Sequence, residues 1–330
     1  MGKPKYIMAN LCYGQLYPQL WLENQCKSLC DPTNLPALRE KYDLEYVLLT
    51  DEPTLQAVSK HPNFMALSQQ CPINVIRMTW PPDADQFASR YGLLCQLFHQ
   101  VLPVALEQQA LLSVWVADLV FAKGALPKML GHIARGHDAV FNVPIRSAAD
   151  SANQILAKLP GAPTDEELFQ IAYAHLHHLW VASHWEAPMF SKFPYSILWN
   201  SGTGLLAHNF GITPIVFRPN EEMRAVQGVI DADVPAFCKN PYWAHDWTDA
   251  PVAGVEPLSN GHYPPFLQHK ADTAWVVEWA KKGTQAVQAK NLHEPLYYPS
   301  KAVFNSELMA ASAREIATNI QTKLGAHAGL

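Results

Sequence analysis

The 330-residue chain has little charge: Asp, Glu, Lys and Arg together make up 16% of it, against about a quarter in an average soluble domain. Beside 49% apolar residues, that scarcity excludes a disordered tail or a charged coiled coil and leaves ample material for a buried core. A basic excess is also missing. With 24 Lys and Arg against 29 Asp and Glu the formal net charge is −5, which speaks against a protein built to grip nucleic acid. No apolar run reaches the roughly 18–20 residues that span a bilayer; the most apolar stretch, Leu111–Phe121, is broken by Ser113 and Asp118. The N-terminal Met-Gly-Lys-Pro-Lys-Tyr has no apolar core of a secretory signal. The Gly-rich signatures of dinucleotide sites and P-loops are absent, as are internal repeats and low-complexity runs. Cys26 and Cys30 sit four apart, but no second pair completes a zinc corner. All six cysteines (Cys12, Cys26, Cys30, Cys71, Cys95, Cys238) are expected to be reduced and mostly buried, as in a cytoplasmic protein.

What the chain does have is rings and turns, with 14 His, 10 Trp, 12 Tyr and 26 Pro. Its first 145 residues alternate between two textures. Short continuous apolar runs at Tyr6–Leu11, Tyr46–Thr50, Ile73–Met78, Leu111–Val116 and Ala139–Val143 read as buried strands. Helical patterns at Leu16–Leu29, Asp85–Leu102 and Pro127–Arg135 lie between them; in the second, Phe87, Tyr91, Leu94, Phe98 and Val101 form one stripe. This alternation predicts an α/β fold, a mainly parallel sheet with helices on both faces. The second half is less regular. A helix is expected over Asp165–Trp180, and short strands at Tyr195–Asn200, Gly204–Ala207 and Pro214–Phe217. Residues 235–266 are rich in proline and aromatic residues and read as an extended wall. Helices over Asp272–Ala289 and Ser306–Leu324 close the chain, the last capped by Gly325.

Ligands of open α/β sheets lie beyond the C-terminal strand ends. That places candidate binding residues at Asn10 and Tyr13 after the first strand, at Asp51 after the second, at Arg90 on the helix leading to the fourth, and at Asp118 after the fourth, with Lys123 five residues on. An acid directly after a buried strand is costly unless it is exposed at a cleft, paired or bound to metal.

These segments bear a resemblance. The run Leu16 to Asp51, with Ser28-Leu29-Cys30-Asp31-Pro32-Thr33-Asn34-Leu35-Pro36-Ala37-Leu38 at its centre, is similar to the start of a bacterial family of glycosyltransferase-like proteins. Those proteins have the GT-A, nucleotide-diphospho-sugar transferase fold. Val116–Gly124, Ala174-His175-Leu176-His177-His178 and Gly204-Leu205-Leu206-Ala207-His208-Asn209-Phe210 fall in the family's order, so the likeness covers roughly residues 5–235. Two features depart from it. The family's strand end carries a second acid where this chain has Ala122-Lys123-Gly124, and its Phe-His-x-His-Pro step reads Phe210-Gly211-Ile212-Thr213-Pro214 here.

The resemblance implies a GT-A-like nucleotide-sugar-binding and catalytic domain over 1–234. The irregular aromatic loop and C-terminal helices of 235–330 would pack on the same domain. It implies a nucleotide-sugar donor, a glycan or other small acceptor, and a role in bacterial surface glycan synthesis. The leaving nucleoside diphosphate must have its charge neutralised, by Mg²⁺ or Mn²⁺ on carboxylates or by Lys and Arg. Asp118 is the expected metal or sugar contact and Lys123 the expected aid to the diphosphate. An inverting transfer also needs a base. Asp231 and Asp233 are the candidates, with His245, Asp246 and Asp249 weaker ones. Two other readings remain open. His175 and His178, at i, i+3 on the expected helix with His184 beyond, would suit a metal-dependent hydrolase if a third ligand approached. Alternatively, the missing second acid marks a decayed transferase fold that only binds.

Overall fold

A computed structural model of the protein describes residues 2–78, 87–228, 230–258, 266–267, 269–283 and 285–325, without the side chains of residues 87–91 and 232. The expected start of the second helix at Asp85 and the aromatic residue Tyr263 lie outside the described residues.

The strands, in chain order, begin with β1 Lys5–Leu11, β2 Asp43–Thr50, β3 Ile73–Arg77, β4 Leu111–Val116, β5 Leu119–Phe121 and β6 Ala139–Asn142. They continue with β7 Ile145–Ala148, β8 Ser196–Asn200, β9 Leu205–Asn209, β10 Thr213–Phe217, β11 Pro241–Trp243, β12 Val252–Glu256 and β13 Pro295–Tyr298. Seven of them form one sheet in the order β11-β6-β10-β4-β1-β2-β3. Every strand in it is parallel to β1 except β10, which runs antiparallel to both β4 and β6. Two three-stranded sheets flank it, β5-β12-β7 and the antiparallel β13-β9-β8.

The apolar runs explain the layering. Residues Tyr6 to Leu11 of β1 are all buried, as a strand covered on both faces must be. One face carries Tyr6, Met8, Tyr46, Leu48 and Trp115 against Trp21, Cys26 and Leu29. It also meets Leu126, Met129 and Ile133 of helix Ala125–Ala134. The other face carries Ile7, Ala9, Leu49, Leu112 and Val114 against Leu97, Phe98 and Val101 of helix Phe87–Glu107. The helix expected from Leu16 forms as Tyr17–Leu20 and Lys27–Leu29 joined by a π-helical segment, Trp21–Cys26. Residues 235–256 supply β11 to the edge of the large sheet and β12 to the centre of the second one. Gly325 takes φ 68 at the end of helix Glu307–Leu324, a left-handed C-cap that glycine adopts without strain.

One expectation fails. Asp165–Trp180 is not one helix: helix Asp165–Ala174 ends at His175, Leu176 bridges to Ser147, and a short helix starts at His178. His177 has left the helix for extended backbone and its ring Nδ1 caps the new start, accepting from the Leu179 N–H at 3.4 Å. The backbone of 174–177 pairs with the β7 region instead, through Ala148 N–H to His175 O at 2.8 Å and His177 N–H to Arg146 O at 2.9 Å.

The antiparallel strand is the weak seam. The ladder between β10 and β4 is the single pair Phe217–Leu112, Pro214 has no N–H to offer, and a register shift separates Pro214 from Val216. The Ile215 carbonyl is instead held by side chains of β4: Ser113 Oγ donates to it at 2.6 Å and Trp115 Nε1 at 3.0 Å. Ser113 has only one hydroxyl hydrogen, so the Tyr6 hydroxyl, 2.8 Å from Ser113 Oγ, is the donor in that pair. Ser113→Ala leaves the buried Tyr6 hydroxyl without an acceptor and removes one donor from Ile215. It should lower unfolding stability by about 1–3 kcal/mol. Urea denaturation of the variant would read this, and an unchanged midpoint would refute it.

Candidate functional site

The parallel strands end at one edge, and β10, running the other way, begins there, with Thr213 paired to Asn142 of β6. Asp51 follows β2 and caps helix Glu52–Val58, accepting the Thr54 N–H at 2.7 Å. After β1, Cys12 N–H donates to Leu49 O at 3.0 Å, and the rings of Tyr13 and Tyr17 lie 6.3 Å apart. Asn10 is fully buried within the sheet. It is therefore a wall residue beneath this edge rather than a surface contact.

Asp118 occupies the turn between β4 and β5 and is 7% exposed. Its carbonyl accepts the Val255 N–H at 2.7 Å, so the β5–β12 ladder continues up to the acid. On the opposite flank of β12, Arg146 in β7 pairs with Gly254. Asp118 and Arg146 therefore stand on either side of one strand, about 10 Å apart across the sheet at the usual strand spacing.

Arg146 organises the next part of this edge. Its Nε lies 3.2 Å from Glu256 Oε1. The guanidinium also acts on Asp231, Tyr195, Tyr298 and His177. Asp231 lies in the short helix Ile230–Asp233, with Thr213 Oγ1 at 3.5 Å from its Oδ2. Burial raises its carboxyl to about 6; Arg146 and Thr213 oppose that shift without cancelling it. Asp233 has a different task. Its Oδ2 accepts N–H groups from Gln227 at 3.3 Å and Gly228 at 2.8 Å, closing the turn before the helix. Tyr298 is buried and donates to Val143 O at 2.8 Å. The rings of His177 and His178 lie 4.0 Å apart between centroids, tilted by 40°, and burial lowers both, His178 to about 4, so both rings are neutral at physiological pH.

The sheet edge thus gathers Asp51, Tyr13, Asp118 and Asp231. Lys123 is elsewhere. Five residues of mostly extended chain separate it from Asp118, about 16 Å at strand rise. It is exposed and its charge acts on Asp31 and Glu167. The side chain of Arg90 lies outside the described residues. His175 and His178 belong to different helices, so the i, i+3 pair on one face does not exist. Of the weaker base candidates, Asp249 accepts the Tyr242 hydroxyl at 2.8 Å, Asp246 accepts the Lys301 N–H at 2.7 Å, and His245 lies 3.5 Å from Glu294. Among the described residues no group of three or more His, Cys, Asp or Glu converges to hold a metal through protein ligands alone. A Mg²⁺ or Mn²⁺ shared with substrate phosphates needs only one or two carboxylates, and Asp118 fits that role. Also among the described residues, no helix is long and apolar enough to cross a membrane, and all six cysteines are free thiols.

Sequence reasoning passed over Arg146. Its one signal was position: a cation in the apolar run Asn142–Ala149, just beyond the strand end at Asn142.

No known family matches the sequence, and no curated protein does. Among solved structures, the chain is similar to the mannosyltransferase PcManGT from Pyrobaculum calidifontis, in complex with GDP-Man and Mn²⁺. The likeness covers 100% of this chain and 77% of that one, at 14% identity and a TM-score of 0.40.

The raised carboxyl of Asp231 has a consequence for stability. Its folded value of about 6 exceeds the ordinary 3.8, so the folded state binds the proton more tightly. Folding is favoured below the ordinary value, and that advantage is lost as pH rises through about 6. Asp231→Asn should therefore raise unfolding stability by roughly 1–3 kcal/mol at pH 7.5 and change little near pH 4. Thermal melts of both proteins at the two pH values would check the sign.

Proposed function

We propose that the chain is a glycosyltransferase that moves a sugar from a nucleoside-diphosphate donor to an acceptor hydroxyl, acting in the cytoplasm in bacterial surface glycan synthesis. The observation that carries this reading is the pairing, on one sheet edge, of a strand-end acid with a second carboxyl held near neutrality beside a guanidinium. The resemblance of residues 5–235 to the transferase family adds to it.

In this reading the donor lies along the ends of β1, β2 and β4, against Tyr13, Asp51, Arg90 and Asp118, with the buried Asn10 in the wall beneath. Lys123, beside Asp31 and Glu167, takes no part in it. A Mg²⁺ or Mn²⁺, held by Asp118, would neutralise charge on the diphosphate. Asp231 is the base. Its carboxylate takes the proton of the acceptor hydroxyl as the oxygen forms its bond to the anomeric carbon. The bond from that carbon to the phosphate oxygen breaks, and its electron pair leaves with the nucleoside diphosphate. A carboxyl poised near 6 is a stronger base than an ordinary aspartate yet remains mostly ionised at neutral pH. Asp233, the other candidate base, already spends one oxygen on the Gln227 and Gly228 N–H groups, so Asp231 is preferred. Arg146 pairs with Glu256 and tempers the Asp231 carboxyl through its charge.

Calorimetric titration with UDP, GDP, CDP and CMP, each with and without Mn²⁺, tests the donor half. One nucleotide should bind, and Asp118→Asn should abolish any Mn²⁺-dependent gain. Binding of none would leave the decayed-fold reading in possession. With an active donor, Asp231→Asn should lower kcat by about 10²–10⁴-fold. The wild-type rate should climb with pH up to about 6 and then level.

A further inference from the structure

The parallel strands also have a far edge. Before the starts of β1, β2 and β3 lies an open pocket of about 500 Å³. Lys3, Arg39, Tyr42 and Gln70 form its polar wall, and Leu44 and Pro72 its apolar one. It is remote from the candidate site: Asp43 opens β2 and Thr50 closes it, about 23 Å apart at strand rise.

Cations are scarce in this chain, 24 Lys and Arg in 330 residues, and two of them meet here. Lys3 Nζ donates to the Arg39 carbonyl at 2.7 Å, which brings the ammonium to the residue that carries the guanidinium. The acids nearby do not cancel this pair. Asp43, the one acid among the described lining residues, lies 3.2 Å from Lys5 Nζ, which also holds Glu45 at 2.8 Å. Glu40 and Lys41, both exposed on the adjoining turn, carry opposite charges. Among the described residues neither Lys3 nor Arg39 is in an ion pair. Tyr42 is fixed beside them: its N–H donates to Leu38 O at 2.9 Å, and its ring stands edge-on to the buried Tyr6 at 6.5 Å.

These groups define a ligand. Lys3 offers a point charge with three donors, and Arg39 a planar fork that grips two oxygens at once. The Tyr42 hydroxyl and the Gln70 amide add uncharged donors. Two unpaired cations with neutral donors match a group of nearly two negative charges and three acceptor oxygens, which is a phosphomonoester near neutral pH. A carboxylate has one charge and leaves one cation unmet. The pocket is roomier than one phosphate group needs, and Leu44 and Pro72 offer the remainder of an ester an apolar wall.

We propose that this pocket binds the phosphate of a phosphomonoester, with Lys3 and Arg39 as its cationic contacts. It is a second ligand site, independent of the transferase reading. The same group occurs on small soluble esters and on the headgroup of phosphatidic acid, and the test separates the two.

The full-length protein is titrated calorimetrically with glycerol 3-phosphate, with glycerol and acetate as controls. It is also sedimented with phosphatidylcholine vesicles that contain or lack phosphatidic acid. The phosphate ester should bind and the two controls should not. Lys3→Ala and Arg39→Gln should each weaken binding about tenfold, with melting temperature and nucleotide titration unchanged. Lys41→Ala, outside the pocket wall, should bind like wild type. Sedimentation with phosphatidic acid vesicles that Arg39→Gln abolishes assigns the lipid headgroup; binding of glycerol 3-phosphate alone assigns a soluble ester. Binding of neither probe overturns the proposal. So does binding that survives the Lys3→Ala, Arg39→Gln double variant, a loss in Lys41→Ala equal to that in Arg39→Gln, or acetate binding as strongly as the ester. A wild type that binds the ester but no nucleotide would sink the transferase reading alone.

Discussion

The structure depends on one carbonyl. Ile215 sits in β10, the antiparallel strand of the seven-stranded sheet, whose ladder to β4 is the single pair Phe217–Leu112 and whose ladder to β6 carries a register shift at Pro214/Val216. Side chains close the gap: Ser113 and Trp115 both donate to Ile215 O, and Tyr6 supports Ser113 from β1. All three are buried, so these bonds replace a missing ladder in a dry interior, where an unmet carbonyl is expensive. The seam matters to function because of what lies on each side. Asp51 and Asp118 belong to the β2-β1-β4 half. Thr213 and, through it, Asp231 belong to β10. The relative placement of the strand-end acid and the second carboxyl is therefore set by the joint at Ile215.

Charge scarcity gives this sheet edge its character. A chain with 16% charged residues has few ions to spend, and Arg146 has several neighbours to serve. It pairs with Glu256 and lies close enough to Asp231 to oppose the rise of its carboxyl, but burial still wins. A second cation there would return Asp231 to an ordinary acid and remove the basicity on which its proposed role draws. The environment thus keeps a carboxylate that is uncomfortable in the folded protein, the kind of perturbation that structural and functional sites both show.

Much of this architecture is legible in the sequence. The continuous apolar runs at Tyr6–Leu11, Leu111–Val116 and Ala139–Val143 become β1, β4 and β6 nearly to the residue, because strands buried on both faces have no polar alternation to blur them. The third sheet is half legible: β8 and β9 fall where short strands were expected, while β13 was missed because Pro295–Tyr298 resembles the proline-rich loops before it. The break at His175 was invisible. Residues 165–180 have helical composition throughout, and what ends the helix is tertiary, the pull of β7 on the backbone of Leu176 and His177. The strand-end acid Asp118 could be picked out because an ion after an apolar run is conspicuous. Arg146 was harder, since its importance lies in Asp231, Glu256 and Tyr195, which are distant in sequence and meet only in the fold.

The course of β5 also bears on how a leaving group would be neutralised. The sequence sets Lys123 five residues after Asp118, close enough in a turn or helix for both to touch one diphosphate. The chain instead runs on extended through Leu119–Phe121, because these residues pair with β12, Leu119 and Phe121 fill the core with Trp115, and the Phe121 N–H donates to Ser28 Oγ. Lys123 is carried to the neighbourhood of Asp31 and Glu167, where its main-chain N–H donates to Pro163 O at 2.8 Å and its charge has acidic company. The same ladder that removes Lys123 brings Arg146 to the far flank of β12 opposite Asp118. Arg146 pairs with Glu256 and its charge also acts on Asp231, and in the proposed transfer the charge of a departing diphosphate would be met by an ion shared between the Asp118 carboxylate and the phosphates.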